Sequence, residues 1–151
     1  MNKPELHYYE LASNVVAFSS TRYGGVSKGN YAAFNINKYC GDVPEDIEQN
    51  RRNLANSLGI DIDKLIVPHQ IHGDCSQIIA HEYFNLPANI REQIIEGVDA
   101  VMTNEPDVCI GVSTADCIPV LLYDTKHHAA AAIHAGWRGT VENIMRKTVE
   151  K

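Results

Sequence analysis

Residues 118–140 read IPVLLYDTKHHAAAAIHAGWRGT. Ile118–Tyr123 is an unbroken apolar run, Asp124–His128 a polar turn, and Ala129–Ile133 a second apolar run built from small residues. Apolar residues on both faces mark strands covered on both sides, so Cys117–Tyr123 is expected as a central strand. The small side chains of Ala129–Ile133 permit close sheet packing. His134 closes that run, Gly136–Gly139 forms a turn, and a helix is expected from about Val141. Thr140 is its expected N-cap, and Val141, Ile144, Met145 and Thr148 its inner face. Strand, hairpin turn, strand, glycine turn and helix together read as α/β architecture.

The upstream sequence extends this pattern. Ala100–Thr103 and Val108–Ser113 are strand candidates, and Ile90, Ile94 and Ile95 suit a short helix between Pro87 and Gly97. Leu65–Ile71 and Cys75–Ala80 are expected as strands around a tight turn at Gly73-Asp74. Pro44 fits the first helical position, with Glu45 and Asp46 in the first turn where acids suit the dipole. Ile47, Leu54, Ala55 and Leu58 stripe one face, and Gly59 ends the helix. Val15–Ser20 reads as a strand running into a turn at Gly24-Gly25.

Composition narrows the function. The chain has 151 residues, with 13 Lys and Arg against 19 Asp and Glu, giving a net charge of −6. A phosphate-tracking nucleic-acid binder needs a clustered basic face, so no nucleic-acid partner is expected. With 44% hydrophobic and 21% charged residues the chain can bury a core. Its apolar runs are too short to cross a bilayer, and Met1–Glu5 opens on no apolar leader. Cys40, Cys75, Cys109 and Cys117 form no Cys-x-x-Cys pair and no disulfide framework. A single cytoplasmic domain over 1–151, with free thiols, is expected.

Four segments can carry chemistry. His134 stands at the carboxyl end of a strand, before a glycine-rich turn that opens a helix, where open α/β sheets place ligands. Arg138 adds a positive charge suited to an anion. Cys117, at a strand start beside Asp116, is either a buried space-filler or a nucleophile or metal ligand. In Pro68-His69-Gln70-Ile71-His72-Gly73, extended backbone sends His69 and His72 to opposite faces, and His72 at the turn is freer to reach a cleft. His72, Cys117 and His134 make a two-imidazole, one-thiolate set, the donors of a catalytic zinc site with an open fourth position. The same donors bind copper. Arg22, on the glycine-rich turn Thr21–Ser27, can swing toward a phosphate or carboxylate or serve as a surface residue of a hairpin. The turn lacks the spacing of a P-loop.

In order along the chain stand Ser20–Ser27, Asn35, Cys40-Gly41-Asp42, Asn50-Arg51 and His69–Gly73, then Asp99-Ala100, Thr114–Cys117 and His134–Gly139. This series resembles the YfiH-like family, also called multicopper polyphenol oxidoreductase or laccase-domain proteins, many of them described as purine nucleoside phosphorylases. The resemblance implies a mixed α/β (α+β) fold in α-β-β-α layers, similar to cysteine hydrolases. It implies a metal, most often zinc with copper possible, on His72, Cys117 and His134, and leaves His69 out. Arg22, Asn35 and Arg138 are the positions it offers for substrate. The activities implied are phosphorolysis of adenosine, inosine, guanosine and methylthioadenosine, and deamination of adenosine. Purine nucleoside and phosphate are then the expected partners. Family members continue well past the last helix, so residues 1–151 are expected to be the N-terminal portion of a longer, C-terminally truncated domain.

Three functions follow from these readings. A metal-dependent purine nucleoside enzyme leads, with Arg22 or Arg138 on phosphate. A copper phenol oxidase ranks below it, because one His2Cys centre cannot by itself reduce dioxygen by four electrons and dense His-x-His pairs are missing. A metal-free Cys–His hydrolase, with Cys117 as nucleophile and His134 as base, is the third.

Overall fold

The computed structural model describes residues 3–151. Met1 and Asn2, which begin the segment read above for a leader, lie outside the described residues. The chain forms two compact units, an N-terminal one through Leu65 and a C-terminal one over Ile66–Lys151.

In the N-terminal unit, β1 (Leu6–Tyr9) and β2 (Ala17–Ser20) pair antiparallel, Leu6 opposite Ser20. β1, largely exposed, was not expected from the sequence. α1 spans Pro44–Leu58 with Pro44 in its first turn and Gly59 left-handed at φ 72° as its C-cap, as the sequence predicts. Its buried face carries polar work as well as packing. The Asn50 carboxamide accepts from Val26 N–H and donates to Ser27 Oγ and the Asn35 carbonyl, all at 2.9 Å. Arg51 donates to the Leu65 carbonyl at 2.6 Å. A helix face that would otherwise be apolar thereby holds the loop segments at Val26-Ser27 and Asn35 and the backbone at Leu65.

The C-terminal unit contains the expected hairpin and helix. β3 (Leu65–Ile66) crosses the boundary between the units, and after it come, in chain order, β4 (Ser76–Ile78), α2 (Ala88–Ile94) and β5 (Ala100–Thr103). Next come β6 (Cys109–Ile110), β7 (Ile118–Asp124), β8 (Ala129–Ala135), α3 (Trp137–Val141) and α4 (Ile144–Val149). Four strands form one mixed sheet in the order β4-β5-β8-β7, with β4 parallel to β5 and the rest antiparallel. One face, through Ala100 and Ile133, packs on Ile144 of α4; the other, through Val101 and Ala132, packs on Ile110 of β6 and Val112. β6 pairs with β3, so a helix, a sheet and a second sheet stack within this unit. The fold is mixed α/β with several sheets.

Three expectations are corrected. β7 is not central: among the described residues it pairs only with β8, β5 and β8 being the inner strands, and Ile118 is 65% exposed. No residue of β7 is buried, so the coverage of both faces that the apolar run predicts is not seen among the described residues either. β3 ends at Ile66, ahead of Pro68, which has no N–H to continue a ladder, and β4 is shorter than Cys75–Ala80 and lies in a different sheet. The last helix begins at Trp137, four residues early, with Gly136 rather than Thr140 as N-cap. Left-handed Asn143 (φ 63°) separates α3 from α4, and only Ile144 and Thr148 of the expected inner face are buried, Val141 and Met145 being exposed.

Candidate metal centre

Three backbone segments of the C-terminal unit converge on one point. β8 delivers His134, 2% exposed, from its carboxyl end. The bend before β7 delivers half-buried Cys117, and the β3–β4 connection delivers exposed His72. Their donor atoms all lie within 4.8 Å of one another. The His72 and His134 rings meet edge to face, centroids 4.7 Å apart at 81°. A tetrahedral ion with bonds of about 2.0–2.3 Å sets its ligand atoms about 3.3–3.8 Å apart, so small side-chain adjustments bring this set onto a zinc-sized ion. Gly136 permits the approach: a Cβ there would stand 3.2 Å from His72 Cδ2 and 3.5 Å from both Cys117 Sγ and His134 Cε1.

The connection carrying His72 is held on every side. Gln70 clamps it to the Cys117 segment by two reciprocal bonds, Nε2 donating to the Ser113 carbonyl at 2.8 Å and Oε1 accepting from Ser113 N–H at 2.7 Å. His72 is left-handed at φ 63°, a conformation that side chains beyond glycine rarely adopt. Asp99, fully buried at the foot of β5, accepts from the N–H groups of Ile71, His72 and Gly73 at 3.1, 2.9 and 2.9 Å. The same carboxylate accepts from His134 Nδ1 at 2.7 Å. α3 seats against this turn so closely that a Cβ on Gly139 would lie 2.5 Å from the Gly73 carbonyl oxygen. Lys147 of α4 pairs with Asp74, and its hydrogen bond and charge hold that carboxyl below the usual carboxylate range.

The other expected residues lie elsewhere. His69 pairs with Glu96 at 2.6 Å and lies outside the converging set. Arg138 is exposed, its guanidinium 5.1 Å from the Trp137 ring centroid. In the N-terminal unit, Arg22 donates through Nε and Nη2 to the Ala32 carbonyl, at 2.9 and 2.5 Å, while its own carbonyl accepts from Ala33 and Phe34 N–H. The turn is therefore fastened. Gly25 is needed for close approach, since a Cβ there would lie 2.1 Å from the Ala33 carbonyl oxygen. The Asn35 carboxamide donates to Cys40 Sγ and Asp42 Oδ2 and accepts from Asn37 N–H. Burial raises the Asp42 pKa, but hydrogen bonds from Asn35, Ser27 and the Val43 N–H outweigh it and leave the pKa lowered. Asp124–Ala129 is the solvated hairpin turn expected around His127 and His128.

Asp99 stands in the family series read from the sequence, but the sequence reading assigns it no role in the site. The signal was present: one carboxylate between Val98 and Ala100, in a stretch that otherwise reads as buried. A charge so placed must be hydrogen-bonded.

Comparisons with known proteins agree with this architecture. The family model described as multi-copper polyphenol oxidoreductase laccase matches residues 16–151. A Bacteroides thetaiotaomicron protein named purine nucleoside phosphorylase is 44% identical over 150 residues, covering 98% of this chain and 56% of its own length. A protein from an unknown prokaryotic organism named adenosine deaminase RL5 is 37% identical, with coverages of 97% and 56%. The crystal structure of the Bacillus licheniformis protein YfiH superposes with a TM-score of 0.87 at 25% identity, covering 99% of this chain and 56% of that one. The chain thus spans about half the length of the curated relatives it matches. With a family match running from Val16 to Lys151, the chain belongs to the laccase-domain, YfiH-like family.

Proposed function

We propose that the chain carries the metal centre of a purine nucleoside enzyme, with His72, Cys117 and His134 as ligands. The observation that carries this reading is the convergence of two imidazoles and one thiol within 4.8 Å, on a side open to solvent at His72. Zinc fits the donor set, and when bound it supplies Lewis acidity and hydroxide near neutral pH. Relatives named purine nucleoside phosphorylase and adenosine deaminase support a purine nucleoside as substrate, with phosphate or water as co-substrate. Arg138 is the better phosphate residue of the two arginines, because its guanidinium is exposed in the same unit as the centre while Arg22 is engaged by Ala32. Asn35 has a place in binding only through the loop it shapes. The family match runs across both compact units, which supports reading them as parts of one domain.

The test is to incubate the purified chain with adenosine, with and without phosphate, and to determine its metal content. Inosine without phosphate, adenine with it, and about one zinc per chain are expected. Neither product appearing overturns the nucleoside reading, and copper in place of zinc overturns the metal assignment. One observation favours a second reading: Asp99 on His134 Nδ1 leaves Nε2 toward Cys117, the arrangement of a Cys–His nucleophile pair. Activity that survives exhaustive chelation but is lost in Cys117→Ala would select it.

A further inference from the structure

We infer that Asp99 is the positioning residue of the centre, one buried carboxylate that sets both imidazoles. The inference rests on the reading of His72, Cys117 and His134 as a metal site. Each carboxylate oxygen has two donors: Oδ1 takes His72 N–H and His134 Nδ1, and Oδ2 takes Ile71 N–H and Gly73 N–H. Asp99 is fully buried, so it touches no substrate and acts only through what it holds.

Two consequences follow from chemistry. A carboxylate can only accept, so His134 must carry its ring proton on Nδ1 and present the lone pair of Nε2 to the other two donors. Three successive N–H groups on one carboxylate curl residues 71–73 around it. That curl keeps His72 left-handed, with its ring edge to face against His134. Remove the carboxylate and His134 is free to change tautomer while His72 is free to leave the left-handed region. The backbone bond from His134 N–H to the Asp99 carbonyl, 2.7 Å, survives any side-chain change and keeps β8 beside β5. The role therefore belongs to the side chain.

Asp99→Asn is the discriminating variant. Whichever way its amide turns, the NH2 group faces two N–H donors. With oxygen toward Ile71 and Gly73, the NH2 points at His134 Nδ1 and drives the ring proton to Nε2, removing the ligand lone pair.

The metal-free 15N-labelled chain is examined by long-range 15N–1H correlation, followed by Zn2+ titration against a chromophoric chelator. In the wild type His134 is expected as the Nδ1–H tautomer. In Asp99→Asn Zn2+ binds about 10- to 100-fold more weakly and that tautomer is lost where the NH2 group faces His134, while the methyl spectrum of the core stays folded. A wild-type ring protonated on Nε2 overturns the inference, as does a variant whose tautomer is unchanged and whose Zn2+ affinity stays within about twofold. If Asp99→Asn does not fold, the wild-type ring decides alone. A wild type with the expected tautomer, lost in the variant, that binds no Zn2+ leaves the positioning role standing and removes the metal reading instead.

Discussion

Asp99 and Asp124 each gather backbone N–H groups and one imidazole onto a single carboxylate, at opposite extremes of solvent exposure. Asp99 holds three backbone N–H groups and His134 at 2.7–3.1 Å with no exposure to water. Asp124 holds Lys126 N–H at 2.8 Å, His127 N–H at 3.2 Å and the His127 ring at 2.6 Å, with its side chain 48% exposed. The contacts are nearly the same in kind and length. Their weight differs because water reaches the Asp124 carboxylate and can replace its partners, whereas the Asp99 carboxylate is sealed from water. A hydrogen-bond distance therefore says little about importance until the alternative partner is known. The buried hub can hold a strained His72 in place, while the exposed one only closes a hairpin turn.

The largest effect expected is that of Asp99→Ala. It leaves the buried His134 Nδ1–H and three backbone N–H groups without their acceptor, and at about 1–3 kcal/mol for an unsatisfied buried donor the loss is expected to be about 3 kcal/mol. For a chain of this length that lowers the melting temperature by roughly 10 °C, read by circular dichroism. Asp124→Ala should melt with the wild type within the scatter of the measurement. Equal melting temperatures for the two variants would break the comparison, because burial would then confer no added weight.

Gly139→Ala tests whether the buried hub is fixed from outside as well. The added methyl meets the Gly73 carbonyl oxygen, a backbone atom, so either α3 or the His72 turn must move. Overpacking of this kind costs about 1–3 kcal/mol, seen as an earlier denaturation midpoint. Gln70→Ala ranks next. It leaves the half-buried Ser113 N–H and carbonyl without their partner, at about 1–2 kcal/mol. Its sharper signature is a weaker hold on metal, since the His72 and Cys117 segments are no longer tied. Unchanged Zn2+ affinity in that variant would show that Asp99 alone suffices to place His72.

How much of this was legible in the sequence depends on which forces act locally. α1 was readable from end to end because Pro44, the apolar stripe and Gly59 all act within a few residues. β5 coincides with its predicted span for the same reason. β7 departs from its reading because the apolar run Ile118–Tyr123 predicts covered faces and a central place, while both depend on partners far away in sequence, and its residues are exposed or half-buried at the sheet edge. The sequence reads Gly139 as a turn residue. Its glycine is required by contact with Gly73, 66 residues earlier, inside a helix where glycine is otherwise costly. His72, Cys117 and His134 were identifiable as reactive side chains, but spacing could not show that they meet. Asp99 was the hardest to read, since its partners lie 26–35 residues away and three of them are backbone.

The smallest effect expected is confined to the exposed hub and concerns acid. Hydrogen bonds from the His127 ring and from the Lys126 and His127 N–H groups lower the Asp124 pKa from 3.8 to about 2. A carboxyl whose pKa is depressed in the folded chain adds stability that is complete above its unfolded value, and loses it as pH falls through the folded value. The turn should therefore keep its form from neutrality down through pH 4 and loosen only between about 4 and 2. Solvent screening keeps its contribution to global stability small. The measurement is an amide titration of Lys126 and His127, whose shifts report the hydrogen bonds directly. A midpoint near 2 is expected, and one near 3.8 would mean that the contacts at Asp124 are not held in solution. Added salt gives a second discrimination. It should move the Asp124 midpoint upward by screening His127, whereas the buried bonds around Asp99, beyond the reach of ions, should leave the His72 and Gly73 amides unmoved.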